Sequence, residues 1–458
     1  MSENREDIHK YSPGYRALKF YEALAFRRFY KHIQVIGTEN IPFGKSYIFS
    51  PNHQNALMDA LAVVNTSKTD VVFFARADIF KSKLQAKILR FLKMLPIYRI
   101  RDGASELSKN EEVFESAINV LKDHIPICIM PEGNHGDKRR LRNLVKGIFR
   151  IAFRTQEAFD KSDGVKIVPV GLDYSHYSKF FQDLLIIYGQ PIEVSEYQDI
   201  YTENPPKGIN ALKDRLAEEL KKIIIHIESD EYYDVYQSLR EYYNNRMRRK
   251  TGILGRTHYD RFRADKMMIR ILDENLENRP EKISELATVV RKYKDGLNNL
   301  NIRNWIFERS GFTSKKLFYK RIGLLLSFPF FLYGYLNNWI PFHLPVRKIR
   351  NIKDEQFHSS FKFVLALILF PVFYALQTIV IGFLTGPSWV AWAYLLSLPA
   401  TGYFALFWSI WYKRWKAGLK YRKMKKSRDV KILSLEQDYH SMIKLMDEIV
   451  EEYLKSNK

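Results

Sequence analysis

Two long stretches of apolar residues in the last third of the chain constrain its structure more than any other feature. Residues Phe361–Leu384 carry a single charge, at Lys362, and the 24 residues Trp389–Tyr412 carry none. About 20 apolar residues are enough to span the ~30 Å hydrocarbon core of a bilayer, and tryptophan and tyrosine are enriched at its interfaces. A core helix of a soluble protein seldom stays uncharged over this length. The sequence therefore predicts transmembrane helices at 361–384 and 389–412.

The basic residues around these stretches predict how the chain is oriented. Residues 413–426 contain eight lysines and arginines and no acidic residue, whereas the connection 385–388 has no charge. Lys and Arg concentrate on the cytoplasmic side of a membrane, so we expect an integral membrane protein whose domain before the apolar stretches and whose tail both lie in the cytoplasm. A third uncharged stretch, 322–341, contains the polar pair Asn337–Asn338. It is expected either to re-enter the same face of the membrane or to span it, and spanning would place the basic tail outside.

The remaining sequence falls into regions of different pattern. Short apolar runs alternate with amphipathic stretches from about Ile33 to Val194, which is typical of an α/β domain. Strands are expected at Ser46–Ser50, Val71–Ala75, Ile125–Met130, Lys166–Gly171 and Leu184–Tyr188, and helices between them include Lys83–Met94. The predicted regions are an amphipathic N-terminal helix (1–32), the α/β domain (33–204), a helical module (205–310), the membrane region (311–426) and a helical cytoplasmic tail (427–458).

The charge and the cysteine count restrict the partners. The 458 residues carry a formal net charge of +22 at pH 7, which predicts attraction to anionic lipid headgroups, phosphorylated substrates or nucleic acid. The sequence has no zinc motif, glycine-rich phosphate loop or nucleic-acid-binding motif, so we expect no nucleic-acid partner. The single cysteine, Cys128, excludes an intramolecular disulfide and a cysteine-rich metal site.

One turn between a predicted strand and a predicted helix contains a candidate acid–base pair. His53 is followed by Asp59, with five residues between them. A carboxylate that holds one ring nitrogen of a histidine leaves the other nitrogen to take a proton from a hydroxyl. The same residues also fit a surface histidine beside a helix capped by Asn52, and the spacing by itself does not choose between the two interpretations.

Further blocks accompany this pair in a fixed order. Together they resemble the glycerolipid acyltransferase superfamily, the membrane-bound glycerol-3-phosphate and lysophosphatidate acyltransferases. The resemblance covers roughly residues 15 to 195. Its blocks are the lead-in Gly37–Pro42, then Asn52-His53 with Asp59, then Phe74–Arg76 with Pro96–Arg99, then Pro131–Gly133, and finally Val168–Val170.

The resemblance implies an α/β acyltransferase domain with a helical insert and C-terminal transmembrane helices. It implies transfer of a fatty acyl group, in phospholipid biosynthesis, from acyl-CoA or acyl carrier protein to glycerol-3-phosphate or its 1-acyl derivative. No metal or other cofactor is implied, and the partners are membrane lipids and the acyl donor. His53 would be the general base and Asp59 its orienting partner. The implied substrate-binding residues are Arg76, Arg99, Glu132, Gly133, His135 and Lys138.

Two departures from the family pattern bear on these assignments. The usual spacing of the pair has four intervening residues, and the fifth rotates Asp59 by ~100° if the stretch is helical. A non-helical start must therefore absorb the extra residue, and this spacing is similar to fungal-type glycerol-3-phosphate acyltransferases. The third block usually continues Thr-Arg-Ser, whereas Asn134-His135-Gly136 stands here. His135, Lys138 or Arg139 is expected to replace the missing arginine as the phosphate-binding group.

Other functions remain open from the sequence. The acceptor could instead be a lysophospholipid or an amino-acid-based lyso-lipid. From a different class, the chain could be a non-catalytic membrane scaffold that binds lipid, although the presence of His53, Asp59 and Glu132 argues against a degenerate enzyme. A transporter is disfavoured, because the hydrophobic segments show no internal repeat and almost no charge.

Overall fold

The computed structural model describes residues 8–98, 109–159, 164–308 and 312–456. These residues form two compact units. The first contains the chain up to His226 together with the later segment Ile352–Phe363. The second contains Ile227–Asn351 and Val364–Lys458.

The first unit is built on an eight-stranded mixed sheet. Its order is β1-β7-β6-β2-β5-β3-β4, and β8 pairs with β6. Neighbouring strands are parallel except that β6 runs antiparallel to β7 and β8. The strands are β1 (His32–Ile36), β2 (Ser46–Pro51), β3 (Val72–Arg76), β4 (Met94–Ile97), β5 (Ile127–Cys128), β6 (Val165–Tyr174), β7 (Asp183–Tyr188) and β8 (Ile192–Glu193).

The five predicted strands are present, with shifted ends. Strands β1, β4 and β8 were not predicted from the sequence. Strands β4 and β8 are short, with four and two residues. Strand β4 also begins at Met94, the residue at which a helix was predicted to end. The helix before it stops at Phe91, because Lys93 adopts a positive φ of 59° that reverses the chain into the strand.

Helices cover both faces of the sheet. In β2, Tyr47 and Phe49 join a buried cluster with Phe26 and Met58, whereas Ile48 joins a second cluster on the opposite face. This alternation follows from the two-residue period of a strand. The helices are α1 (Pro13–Phe29), α2 (Leu57–Thr66), α3 (Lys83–Phe91), α4 (Lys109–Lys122), α5 (Gly147–Glu157), α6 (Gln198–Glu203) and α7 (Pro205–Ile223).

Helix α7 belongs to this unit and not to the helical module that was predicted to begin at residue 205. Its leucines Leu212, Leu216 and Leu220 are fully buried in the core of the sheet. The end of α7 approaches β6 so closely that a side chain at Gly171 would collide with the carbonyl of Ile223. The boundary of the unit therefore lies after His226.

The second unit contains the rest of the helical module, and the C-terminal helix packs on it. Its helices here are α8 (Tyr233–Tyr242), α9 (Asn244–Lys250), α10 (His258–Asn278), α11 (Pro280–Asn299), α12 (Trp305–Glu308) and the terminal α17 (Val430–Ser456). The Tyr243 hydroxyl donates to Asp447 at 2.6 Å, and Lys282 pairs with Glu452 at 2.9 Å. Met442 and Met446 of α17 are fully buried.

The apolar part of the chain forms four further helices, α13 (Ser314–Leu326), α14 (Phe328–Ile349), α15 (His358–Thr385) and α16 (Ser388–Lys426). The stretches Glu355–Thr385 and Ser388–Lys426 are long and apolar enough to cross a membrane. The third apolar stretch, 322–341, is divided at Ser327 between α13 and α14. Within the second unit, Asn338 of α14 donates to the carbonyl of Leu398 at 3.3 Å and accepts from the Tyr374 hydroxyl at 2.6 Å. The polar pair therefore joins apolar helices through hydrogen bonds.

Candidate active site

Parallel strands of the first unit bring the predicted site residues to one edge of the sheet. Strands β4, β3, β5 and β2 lie side by side and run in the same direction, so their carboxyl ends meet at the same edge. Arg76 is the last residue of β3, His53 follows β2, and Glu132 follows β5. Arg99, which comes shortly after β4, lies outside the described residues.

His53 and Asp59 form a close pair. The Nδ1 atom of His53 lies 2.9 Å from Oδ2 of Asp59, and the carboxyl is fully buried. Helix α2 begins only at Leu57, and Ala56 before it has a φ of 46°. Because the residues between the pair are not helical, five intervening positions still allow the two side chains to meet. The non-helical start that the longer spacing requires is therefore present.

Asp59 accepts hydrogen bonds from several directions. Oδ2 also accepts from the backbone N–H groups of Gln54 at 2.9 Å and Asn55 at 2.7 Å. Oδ1 accepts from the hydroxyl of Tyr174 at 2.7 Å. A carboxylate surrounded by donors acts only as an acceptor, so Nδ1 of His53 carries the hydrogen. The other ring nitrogen, Nε2, is then the acceptor nitrogen.

Tyr174 is a site residue that the sequence patterns did not indicate. It is fully buried at the end of β6, the parallel neighbour of the strand that leads to His53. Burial, and next the Asp59 carboxylate, raise the pKa of its hydroxyl well above the ordinary value. The hydroxyl is therefore a stable donor to Asp59 at neutral pH. Tyr174 could have been considered from the sequence, because it ends the strand that contains the fourth family block, Val168–Val170.

Glu132 connects the third block to the turn that contains His53. Its Oε1 accepts from the backbone N–H of His53 at 2.9 Å, and its Oε2 accepts from the backbone N–H of Arg142 at 3.3 Å. The side chain is buried, and burial raises its pKa to about 7 against the lowering effect of these hydrogen bonds. Both oxygens of this carboxylate thus hold backbone groups of the site.

Gly133 occupies a backbone conformation that other residues rarely adopt. Its φ is 65°, and a Cβ there would lie 2.9 Å from Val145 Cγ1. Its N–H donates to the carbonyl of Met130 at 3.2 Å, and the N–H of Asn52 donates to Val170 at 3.2 Å. Both of these backbone donors therefore have carbonyl partners.

His135 lies against His53. The two imidazole rings meet edge to face with centroids 5.7 Å apart. Nε2 of His135 lies 2.9 Å from Oδ2 of Asp354, and its ring packs on Phe357 at 4.6 Å. Both partners belong to the segment Ile352–Phe363, which no sequence motif connects with the site. Lys138 contributes its carbonyl, which accepts from the Gln54 amide at 3.0 Å.

The arginines of this edge differ in how they are engaged. Arg76 pairs with Asp78 through two contacts, one of them a 3.1 Å bond from Nε, in a partly exposed position. Arg139 is buried, forms an ion pair with Asp173 and donates to the carbonyl of Tyr174 at 2.6 Å. Arg139 therefore stabilises the end of β6. Because its guanidinium is buried and engaged there, it is unsuited to replace the missing phosphate-binding arginine. Among the described residues, no group of three or more His, Cys, Asp or Glu side chains is placed to hold a metal ion.

Comparison with known proteins gives a consistent family. Residues 32–173 match the sequence model of the acyltransferase family. Glycerol-3-phosphate O-acyltransferase 2 of Saccharomyces cerevisiae is 28% identical over 140 residues, which are 30% of this chain and 19% of the relative. Glycerol-3-phosphate O-acyltransferase 1 of the same yeast is 25% identical over 223 residues, 47% of this chain and 28% of the relative.

A solved structure is similar over part of the chain. The crystal structure of the 1-acyl-sn-glycerophosphate acyltransferase PlsC from Thermotoga maritima superposes with a TM-score of 0.33 and 21% identity, covering 45% of this chain and 79% of that one.

The chain spans less than a third of the length of the two yeast relatives it matches. The order of the blocks, the match over 32–173 and the yeast relatives agree. Residues 32–173 therefore form a domain of the acyltransferase family.

Proposed function

We propose that the protein is a membrane-bound O-acyltransferase of phospholipid synthesis. It transfers a fatty acyl group from acyl-CoA or acyl carrier protein to glycerol-3-phosphate or 1-acylglycerol-3-phosphate. The observation that carries this proposal is the hydrogen bond between His53 Nδ1 and the buried Asp59 carboxylate. The similarity to two glycerol-3-phosphate O-acyltransferases supports the acceptor class.

The pair supplies the proton transfer that the reaction needs. Asp59 holds the Nδ1–H of His53, so Nε2 takes the proton of the acceptor hydroxyl as its oxygen attacks the thioester carbonyl. The C–O bond forms, the C–S bond breaks, and the proton passes from Nε2 to the departing thiolate. The carboxylate stabilises the imidazolium that exists between these steps. A thioester is already activated, so no covalent enzyme intermediate is required.

The groups around the pair have distinct proposed roles. Glu132 fixes the backbone of His53 through its N–H, so we assign it to positioning rather than to the glycerol hydroxyl. Arg76 pairs with Asp78 in a partly exposed position, where an ion pair is weak and is readily exchanged for a phosphate. Together with Arg99, His135 and Lys138 it is proposed to bind the acceptor phosphate, and Gly133 gives the turn its shape.

The membrane arrangement is also part of the proposal. The helices containing 361–384 and 389–412 are long and apolar enough to form a transmembrane hairpin. The basic run 413–426 supports a cytoplasmic location for both ends of the hairpin, where anionic headgroups would attract the run by ~1 kcal/mol per charge. The catalytic unit would face the cytoplasm.

The test is acyl transfer by the full chain in membranes. Labelled glycerol-3-phosphate and 1-acylglycerol-3-phosphate are offered separately, each with acyl-CoA and with acyl carrier protein. His53→Ala is expected to abolish transfer. His32→Ala is a matched control, because His32 makes an exposed pair with Asp183 at the same 2.9 Å distance. Equal activity of His53→Ala and the wild type, or equal loss in both variants, would refute the role of His53.

A further inference from the structure

Helix α2, which carries Asp59, has no N-terminal cap from its own sequence. Ala56 stands at the cap position and makes no side-chain hydrogen bond. The first N–H of the helix, at Leu57, instead donates to Oγ of Ser360 at 3.1 Å. A serine hydroxyl is among the best acceptors for the free N–H groups at the start of a helix. A residue 303 positions away thus supplies the missing cap.

Ser360 is held there by the segment Ile352–Phe363, which we call the strap. The strap is part of the first unit. Ser359 donates to the carbonyl of Tyr177, and Lys362 donates to the carbonyl of Ser178 at 2.5 Å. The ring of Phe363 is buried against Phe29 with centroids 5.5 Å apart. The strap is therefore fixed at several points, and its hydroxyl at α2 is held in place.

The strap also reaches the second histidine of the site. Asp354 accepts or shares a hydrogen with Nε2 of His135 at 2.9 Å, and Phe357 packs on the same ring. Since His135 lies edge to face with His53, Asp354 fixes the orientation of a group beside the imidazole ring of the proposed catalytic base. The strap thus touches both halves of the site, the helix of Asp59 and the turn of His135.

We propose that Ser360 and Asp354 are positioning residues of acyl transfer, acting through Asp59 and His135. The inference rests on the proposed function and deepens it. Ser360 sets the start of α2 and thereby the distance between Asp59 and His53, so its loss lowers kcat. Asp354 orients His135, one of the proposed phosphate-binding groups, so its loss raises KM for the acceptor.

The first test compares Ser360→Ala with Ser359→Ala in the full chain reconstituted in nanodiscs. Ser359 is the matched control, because its hydroxyl anchors the same strap by donating to the carbonyl of Tyr177, whereas the Ser360 hydroxyl accepts from the first N–H of α2. Loss of a cap corresponds to roughly a 2- to 30-fold effect. We expect kcat of Ser360→Ala to fall in that range with KM for both substrates little changed, and Ser360→Thr, which keeps the hydroxyl, to restore it. Equal kcat in Ser360→Ala and Ser359→Ala overturns the role of Ser360.

Asp354 is tested by Asp354→Ala and Asp354→Asn in the same preparation. We expect Asp354→Ala to raise KM for the phosphate-bearing acceptor without lowering kcat. Asp354→Asn keeps an acceptor for the His135 ring and should recover most of the loss. An unchanged KM in Asp354→Ala overturns this assignment.

Hydrogen exchange separates this inference from the proposed function. The amide hydrogens of residues 54–59 should exchange faster in Ser360→Ala than in Ser359→Ala, whatever the chain catalyses. Faster exchange without any acyl transfer by the wild type would refute the proposed function and retain the cap. Unchanged exchange would refute the cap itself.

A separate observation concerns helix α3, which has no buried residue. Its apolar side chains Leu84, Ile88 and Phe91 are 69%, 49% and 43% exposed. They recur at intervals of four and three residues and therefore share one face of the helix. An ordered amphipathic helix with a capping box at Ser82 thus presents its apolar face outward.

The charges around this face have one sign. Lys81, Lys83 and Lys87 are exposed, and no Asp or Glu occurs from Ile79 to Tyr98. Helix α1 adjoins α3, since Tyr15 and Phe91 meet edge to face at 6.4 Å. It too exposes apolar and basic side chains, namely Phe20, Leu24, Arg16, Arg27 and Arg28. Apolar residues flanked by cations are the pattern of a helix lying in a membrane interface.

We propose that α3, continuing the exposed face of α1, docks on the surface of an anionic bilayer. The apolar face enters the boundary between headgroups and acyl chains, and the lysines contact lipid phosphates. Arg76 ends the strand just before α3. The docking therefore holds this edge of the catalytic unit at the depth of the headgroups.

A probe on α3 tests this surface without an activity assay. The single native cysteine, Cys128, is buried, so Ile88→Cys can be labelled selectively with an environment-sensitive fluorophore. Asn119→Cys, at an exposed position of α4, is the matched control. The full chain is placed in phosphatidylcholine vesicles with or without phosphatidylglycerol, and lipids carrying a shallow nitroxide are added.

We expect a blue shift and nitroxide quenching at Ile88→Cys, stronger with phosphatidylglycerol, and neither effect at Asn119→Cys. Absence of quenching at position 88 overturns the proposal. A second result would also overturn the proposal, namely a blue shift of the probe in detergent that increases with protein concentration. In that case a second copy of the chain, and not the bilayer, would cover the apolar face of α3.

Discussion

The hydrogen bond from Tyr174 to Asp59 predicts a measurable loss of stability in Tyr174→Phe. The hydroxyl lies 2.7 Å from Oδ1, and both residues are fully buried. Phenylalanine fills the same space, so the change removes the hydrogen bond and leaves no cavity. A hydrogen bond to a charged group contributes about 1.5–3 kcal/mol. In a unit of this size that corresponds to a lowering of the unfolding midpoint by about 3–12 °C.

The assay must report on the first unit alone. All seven tryptophans lie at or beyond Trp305, so intrinsic tryptophan fluorescence follows the second unit. Cys128 is the only cysteine and is buried in β5 of the first unit. A dye that becomes fluorescent on reacting with a thiol therefore detects unfolding of the catalytic unit as the chain is heated.

Tyr30→Phe is the matched control. Tyr30 is buried beside Tyr174, with ring centroids 6.0 Å apart, and its hydroxyl has no hydrogen-bond partner in the described part of the chain. Removing it should leave the midpoint unchanged or slightly raised, since no bond is lost. Acyl transfer by Tyr174→Phe should fall by no more than about tenfold, because the donors to Oδ2 remain. Equal midpoints for the two variants would refute the reasoning.

Three further predictions concern the same site. Asp59→Asn keeps an oxygen for His53 but removes the charge, so kcat should fall by about 10- to 150-fold with KM unchanged, as steady-state kinetics would measure. Burial raises the pKa of Glu132 from 4.5 to about 7. Between these two pH values the folded chain keeps a proton on Glu132 that the unfolded chain has released. The free energy of unfolding should therefore fall as pH rises from about 4.5 to about 7. Thiol-dye melts of Glu132→Gln should lack that slope. Arg139→Ala removes the buried guanidinium that pairs with Asp173, and the free energy of unfolding should fall by about 3–5 kcal/mol in chemical denaturation.

Much of the catalytic unit could be predicted from local patterns. Strands such as Lys166–Gly171 are continuous apolar runs because both faces of the sheet are covered by helices. The His53 and Asp59 pair was also accessible, since both residues lie within one turn between a strand and a helix. Short elements could not be predicted, because a four-residue strand such as β4 has too few residues for its periodicity to distinguish it from the preceding helix.

The contacts that complete the site depend on residues far apart in sequence. Tyr174 reaches Asp59 only because β6 lies beside β2 in the sheet. Arg139 looked like a phosphate ligand in its basic run, but the fold places it beside the buried Asp173, where charge pairing decides its role. Nothing in the local sequence around Asp354 or Ser360 indicates that they face His135 and α2.

The capping of α2 by Ser360 also sets an order of events during synthesis of the protein. The two residues are 303 positions apart. A ribosome that adds about 5–20 residues per second needs about 15–60 s to make the serine after it has made the helix. Throughout that interval the nascent catalytic sheet can form, yet the start of α2 lacks its cap. The start of α2 therefore gains its cap only after the beginning of α15, which contains Ser360, has left the ribosome. A newly made catalytic unit thus reaches its final geometry while its first candidate membrane helix is being synthesised.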